Sequence, residues 1–232
     1  MPLHIGIVAC SAEGAALCYR TICQDGPALL GVHRHPEVSM HTRSLGEYMD
    51  LIRRDDWGGV ADLMLSSAEK LRRVGADFLV CPDNTVHRAF TLFAGRSPLP
   101  WLHIAEEVAA EATRRGFTRV AITGTSYTME GPVYPEVLKR HGIDYRVPSP
   151  GDRARIDQII FDELVNGDFR PESVEVFRRV IDGMKSGGCD AVVLGCTEIP
   201  LLVPPERSPL PTLDSTRLLA RAAVDHAIRL RP

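Results

Sequence analysis

The sequence lacks any apolar run that approaches the roughly 18 residues needed to span a bilayer. Residues 1–8 also lack the basic region and the long apolar region of a signal peptide. An excess of charge of one sign is missing as well, because 27 scattered basic residues and 30 acidic ones leave a net charge of −3. These absences argue against a membrane or a nucleic-acid partner. We therefore expect a cytoplasmic protein.

Metal-binding patterns are absent too. Six cysteines occur, but no two form the Cys-x-x-Cys pair that is typical of zinc sites. In a cytosolic chain such thiols are expected to be reduced rather than joined in disulfides. Residues 124–128 have neither the glycine spacing nor the lysine of a phosphate-binding loop. We therefore predict no metal site.

Apolar runs of strand length alternate with helical patterns along the whole chain. The predicted strands cover residues 4–9, 29–33, 78–81, 119–123 and 191–194. The predicted helices cover residues 13–23, 57–74, 104–115, 131–141, 153–165, 172–186 and 215–229. Asp214 is the expected N-cap of the last helix. Such alternation is typical of an α/β fold, in which helices cover both faces of a parallel sheet.

An internal repeat is the most informative feature of the sequence. Residues 75–85 (GADFLVCPDNT) are echoed by residues 188–198 (GCDAVVLGCTE), and residues 4–11 parallel residues 119–126 at nearly the same offset. We predict two pseudo-symmetric α/β lobes, each a parallel four-stranded sheet flanked by helices. The predicted N-terminal lobe comprises residues 1–100 plus 214–232, and the C-terminal lobe comprises residues 101–213.

The repeat places Asp83 at the position that Cys196 holds in the second copy. Ligands of open parallel sheets bind at the carboxyl ends of the strands. We therefore predict one cleft lined by these two residues together with Ser11 and Thr125. A thiolate at Cys196 could remove a proton from carbon, return one, or attack a carbonyl or an alkene. The structural alternative is a thiol packed in a tight turn.

Asp83 also has two interpretations. It could be a general acid or base opposite Cys196, or it could cap the helix that follows. An ordinary Asp has a pKa of about 3.9, so action as a base would require burial to raise that pKa. His87, four residues further on, could orient the carboxylate. Cys81 could bring a second thiol to the same face of the strand.

Small polar side chains cluster near the predicted strand ends. Turn chemistry accounts for residues of this kind, but around a cleft they would form a nest of donors for a carboxylate. The expected carboxylate-binding residues are Ser11, Asn84, Thr85, Thr125, Ser126 and Thr128.

Three motifs resemble the aspartate/glutamate racemase superfamily, a group of cofactor-independent racemases, epimerases and their relatives. Residues 195–200 (GCTEIP) resemble its Gly-Cys-Thr-Glu catalytic loop, residues 124–130 (GTSYTME) its Thr-rich substrate loop, and residues 213–216 (LDST) the start of its closing helix. The resemblance runs over nearly the whole chain. It implies two pseudo-symmetric lobes, catalysis between them without a cofactor, a homodimer or higher homo-oligomer, and Thr197 as a substrate-binding residue.

The first half departs from the family pattern. Family racemases have Cys-Asn-Thr-x-His in the first catalytic loop, whereas residues 83–87 read DNTVH. The early Gly-Gly-Met-Gly-Pro loop is replaced by ACSAE at residues 9–13. The Arg and Lys that hold the distal carboxylate in aspartate racemases match His41 and Val165 here. We therefore expect His41 to contact the substrate in an altered subsite.

Three functions remain open from the sequence. The first is a racemase or epimerase that moves the α-proton of a small amino acid between Asp83 and Cys196. The second is a lyase, decarboxylase or cis–trans isomerase that uses the same pair on a small amino or carboxylic acid. The third is a two-lobed binding protein that descends from such an enzyme.

Overall fold

The computed structural model describes residues 2–229. These residues form two compact units: unit 1 contains the chain up to Ile104 and again from Thr216 onward, and unit 2 contains Ala105–Ser215. Each unit has its own parallel β-sheet, with three strands in unit 1 and four in unit 2. Across residues 2–229, no helix is long and apolar enough to cross a membrane. The predicted α/β fold is confirmed.

Unit 1 begins with alternating strands and helices. In chain order these are β1 (Ile5–Ala9), α1 (Ala12–Leu30), β2 (Val38–Thr42), α2 (Leu45–Ile52), α3 (Trp57–Arg73), β3 (Phe78–Val80), a 3₁₀ turn (Thr85–Ala89), α4 (Phe90–Phe93) and a second 3₁₀ turn (Ala94–Arg96). The strand order is β2-β1-β3. Every residue of β1 and β3 is buried, which explains why both strands are continuously apolar.

Unit 2 follows the same alternation. Its elements are α5 (Ile104–Arg114), β4 (Arg119–Gly124), α6 (Ser126–Met129), α7 (Val133–Arg140), β5 (Asp144–Arg146), α8 (Pro150–Asp162), a 3₁₀ turn (Leu164–Asn166), α9 (Pro171–Ser186), β6 (Ala191–Gly195), α10 (Ile199–Leu202), a 3₁₀ turn (Pro205–Arg207) and β7 (Thr212–Asp214). The strand order is β5-β4-β6-β7. The last helix, α11 (Ser215–Arg229), returns to the core of unit 1.

The strand predicted at residues 29–33 is wrong. Helix α1 continues to Leu30 and ends at Gly31, which has a φ of 97° and donates its amide to the carbonyl of Pro27. The second strand is β2 instead. Because β2 lies at the edge of its sheet, its residues are half-buried or exposed, and only Val38 and Met40 are apolar. A strand of this composition gives a weak hydrophobic signal.

The fourth strand predicted in the first lobe is reduced to a single parallel bridge between Leu79 and Trp101. Leu79 donates its amide to Pro100 at 2.8 Å, and Leu102 donates back to Leu79 at 3.0 Å. The pairing stops there because the amide of Ile104 is turned to the imidazole Nε2 of His87, at 3.3 Å.

The matching segment of unit 2 forms the full strand β7. Both segments begin with Ser-Pro-Leu-Pro, at residues 97–100 and 208–211. In each, the Ser hydroxyl donates to the carbonyl two residues later at 2.7 Å, from Ser97 to Leu99 and from Ser208 to Leu210. The internal repeat therefore includes these two segments as well.

Candidate active site

The strands of unit 1 bring three of its predicted site residues to one edge of the sheet. Because β1, β2 and β3 are parallel, the loops after them leave at the same edge. Ser11 begins α1 there, and its hydroxyl accepts the amide of Gly14 at 3.2 Å. His41 lies near the end of β2, and Asp83 follows β3.

Asp83 caps the 3₁₀ turn that follows it. Its Oδ1 atom accepts the amide of Val86 at 3.2 Å, and the residue is half-buried. The next two predicted residues, Asn84 and Thr85, are buried and half-buried respectively. The capping interpretation of Asp83 is therefore realised, and the same hydrogen bond orients the carboxylate at the end of β3.

His87 holds this loop by a hydrogen bond to the backbone of Asp83, not to the Asp83 carboxylate. Its Nδ1 atom lies 2.7 Å from the carbonyl oxygen of Asp83, which can only accept, so Nδ1 carries the proton. Nε2 then accepts the amide of Ile104. Burial, and then the neighbouring His103, hold the pKa of His87 well below its usual value. The ring is therefore neutral at pH 7.

Cys81 lies inside unit 1. It is fully buried, and its Sγ atom is 3.8 Å from that of Cys10.

His41 forms hydrogen bonds with two neighbouring side chains. The Lys70 ammonium, which can only donate, lies 3.0 Å from Nε2, and Nδ1 lies 3.1 Å from the hydroxyl of Ser67. His41 therefore carries its proton on Nδ1. Burial, then Lys70, then Arg43 lower the pKa of His41. His41 is therefore a neutral imidazole hydrogen-bonded to a lysine, and its match to the family arginine stays a prediction.

Unit 2 holds Cys196 in a buried polar loop after β6. The Cys196 thiol donates to Oε2 of Glu198 at 2.9 Å, and the Thr197 hydroxyl donates to the same oxygen at 2.7 Å. All three residues are buried. Glu198 was missed as a site residue, although the Gly-Cys-Thr-Glu motif contains it. Its carboxylate is positioned to accept the proton of the thiol.

The remaining predicted residues of unit 2 surround the start of α6. The Thr125 hydroxyl accepts the amide of Thr128, and the two hydroxyl oxygens are 3.3 Å apart. The amide of Ser126 donates to the Asp157 carboxylate at 2.6 Å. Gly124 pairs with Gly195 across β4 and β6. Thr125 and Cys196 therefore follow paired positions of neighbouring strands.

Metal ligands are not grouped in the part of the chain that the structure describes. Within it, no cluster of three or more His, Cys, Asp or Glu side chains could hold a metal ion.

Two units built on one strand–loop–helix plan, with a carboxylate and a thiol in matching loops, define a duplicated α/β protein. The chain belongs to the Asp/Glu/Hydantoin racemase family, whose profile matches residues 11–223. The resemblance inferred from the motifs is confirmed.

Solved structures with similar folds cover nearly the whole chain. A candidate Asp/Glu racemase from Yersinia pestis is 31% identical, with a TM-score of 0.89 over 98% of this chain and all of its own. An aspartate racemase homologue from Pyrococcus horikoshii OT3 is 25% identical, with a TM-score of 0.84 over 98% of this chain and 99% of its own. Among curated proteins, the broad specificity amino-acid racemase RacX of Bacillus subtilis is 23% identical over 190 residues, or 82% of this chain and 81% of RacX.

Proposed function

We propose that the protein is a cofactor-independent amino-acid racemase or epimerase in which Asp83 and Cys196 exchange protons with the α-carbon of a small amino acid. The hydrogen bond from the buried Cys196 thiol to Glu198 is the observation that carries the proposal. Membership of the racemase family supports it. The name of the similar protein RacX adds the expectation of an amino-acid substrate.

Glu198 supplies Cys196 with a place for its proton. When Cys196 acts as a base, its thiol proton moves to Oε2 of Glu198, and the resulting thiolate removes the α-proton. When Cys196 acts as an acid, the thiol gives its proton to the α-carbanion and recovers one from Glu198. The Thr197 hydroxyl donates to the same oxygen and stabilises the carboxylate between these steps.

Asp83 performs the opposite transfer in this proposal. The amide of Val86 fixes the direction of its carboxylate. A carboxylate and a thiol differ in basicity, so the two directions of the reaction need not have equal rates. The side chains proposed to bind the substrate are Ser11, His41, Asn84, Thr85, Thr125, Ser126, Thr128 and Thr197.

Exchange of the α-proton in deuterated water tests the proposal. A panel of L- and D-amino acids is incubated with the protein, and deuterium at the α-carbon is measured by mass spectrometry. We expect incorporation with at least one amino acid and its loss in Cys196→Ala. The matched control is Cys189→Ala, which removes a buried thiol outside the loop. Exchange at the wild-type rate in Cys196→Ala would exclude the mechanism.

The replacement of the first catalytic thiol by Asp83 favours a second candidate function. An unequal acid–base pair suits one-directional chemistry, such as a lyase, decarboxylase or cis–trans isomerase acting on a small amino or carboxylic acid. Chiral chromatography of the products separates the two. The opposite enantiomer supports racemisation, whereas a smaller fragment or an alkene supports the second function.

A further inference from the structure

Two cysteines that the proposed reaction does not use lie in contact inside unit 1. Cys10 follows β1, Cys81 follows β3, and their Sγ atoms are 3.8 Å apart. Cys81 is fully buried and Cys10 is nearly so. Two sulfur atoms at this separation are in van der Waals contact, so an approach of about 2 Å would bring them within bonding distance.

The surroundings of Cys10 oppose the loss of its thiol proton. Burial, then the hydrogen bond to Cys81, raise the pKa of Cys10. Among the smaller effects on the pKa of Cys10, the negative charge of Asp83 raises it and the Tyr48 hydroxyl lowers it. Because the thiolate is the reactive form, a thiol with a raised pKa reacts slowly with oxidants. The pair therefore needs an excess of a small oxidant.

We propose that Cys10 and Cys81 form a reversible intramolecular disulfide when the protein meets hydrogen peroxide. One thiolate attacks a peroxide oxygen, and the O–O bond breaks. This step forms a sulfenic acid and releases the first water. The second thiolate attacks that sulfur, the S–S bond forms, and the second water leaves. Peroxide takes up the two electrons that the sulfurs lose, and both thiol protons end in water.

The disulfide would disturb the two loops that it joins. An S–S bond is about 2.0 Å long, so the two sulfurs must approach by nearly half of their present separation. Cys10 directly precedes Ser11, and Cys81 lies two residues before Asp83. We expect oxidation to displace both residues and to inactivate the protein reversibly; this last consequence alone rests on the proposed function.

Peptide mapping of the full-length protein tests the disulfide directly. The protein is treated with peroxide, denatured in iodoacetamide and digested without reductant. We expect a linked peptide pair containing Cys10 and Cys81, about 2 Da lighter than the two thiol peptides together and split by dithiothreitol. Its rate of formation should rise between about pH 7 and pH 9, as the thiolate fraction grows.

Urea unfolding gives a second readout that needs no enzymatic activity. A disulfide that closes a long loop restricts the unfolded chain, so peroxide should shift the unfolding midpoint of the wild type to higher urea. Cys10→Ala should show no shift. Cys18→Ala removes another buried thiol of the same unit and should respond like the wild type.

Three results would overturn the inference: Cys10 and Cys81 both alkylated after peroxide, a link from Cys81 to Cys18, or a peroxide-dependent shift that persists in Cys10→Ala. If Cys10→Ala does not fold, the peptide map of the wild type decides alone. If the reduced protein shows no α-deuterium exchange with any amino acid but peroxide still forms the Cys10–Cys81 link, the proposed function is refuted and this inference stands.

Discussion

At the scale of single residues, the loop that carries Cys196 depends on a close approach of its backbone to β4 at Gly195. A Cβ atom on Gly195 would lie 2.7 Å from the carbonyl oxygen of Thr123 and 3.0 Å from a methyl carbon of Thr128. The contact with the carbonyl oxygen is too short for a Cβ atom, and the contact with the methyl carbon would require Thr128 to shift by a few tenths of an ångström. Glycine therefore lets the backbone pass β4 closely where Cys196 leaves the sheet.

Gly195→Ala should lower the free energy of unfolding by about 1–3 kcal/mol, the usual cost of overpacking. Urea denaturation measures this. The matched control is Gly183→Ala in the interior of α9, where an added Cβ meets nothing within 4 Å. That change should instead stabilise the protein by about 0.5–1 kcal/mol, because alanine is the better helix former. Equal effects at the two sites would contradict the packing argument.

Substitution of Glu198 best tests how Cys196 loses and regains its proton. Glu198→Gln keeps an oxygen that can accept the Thr197 hydroxyl but removes the carboxylate that takes the thiol proton. We expect the rate of α-deuterium exchange to fall by about 100-fold or more, as for loss of an acid–base group. Glu175→Gln, an exposed carboxylate paired with Arg178, should leave the rate unchanged. Full activity in Glu198→Gln would remove Glu198 from the mechanism.

At the scale of elements, the 3₁₀ turn after β3 depends on a neutral histidine. The pKa of His87 is lowered in the folded protein, whereas an unfolded chain has a His pKa of about 6.5. Below that pH the unfolded state binds a proton that the folded state does not, so stability falls as the pH decreases. The loop that carries Asp83 is thus weakened by acid.

His87→Gln should flatten the dependence of stability on pH. Urea unfolding between about pH 7.5 and pH 5 measures this. The free energy of unfolding of the wild type should fall more steeply than that of the variant, by up to about 1.4 kcal/mol per pH unit. His33→Asn is the control, because His33 is exposed and its φ of 63° suits asparagine. An unchanged slope in His87→Gln would show that other groups cause the acid sensitivity.

The sequence predicts buried elements better than edge elements. β1, β3 and β6 are buried and apolar, β4 is so except at Arg119 and Thr123, and the positions of all four follow from the hydrophobic pattern. The strand β2 and the exposed strand β5 depend on pairing with a neighbour and carry little pattern of their own. Likewise, the motif locates Cys196, but the contacts of Glu198 and of His41 follow from side-chain directions that no sequence spacing encodes.

At the scale of the whole molecule, we expect the protein to form a homodimer, as the family resemblance implies. Size-exclusion chromatography with light scattering should give twice the mass of one chain at micromolar concentrations. Wild type and Cys196→Ala should behave alike, because Cys196 is buried. A single-chain mass at all concentrations would refute the dimer.

A helix begins at each of the two boundaries between the units. Helix α5 starts at Ile104, where the first segment of unit 1 ends, and continues in unit 2, whereas α11 starts at the last residue of unit 2 and completes unit 1. In α11, Leu219 and Val224 pack in the same core as Ile5 and Phe78. During synthesis, the unit that begins first is therefore finished last. Until α11 has been synthesised, β1 lacks part of its core, and the chain of unit 1 stays open to chaperones and proteases.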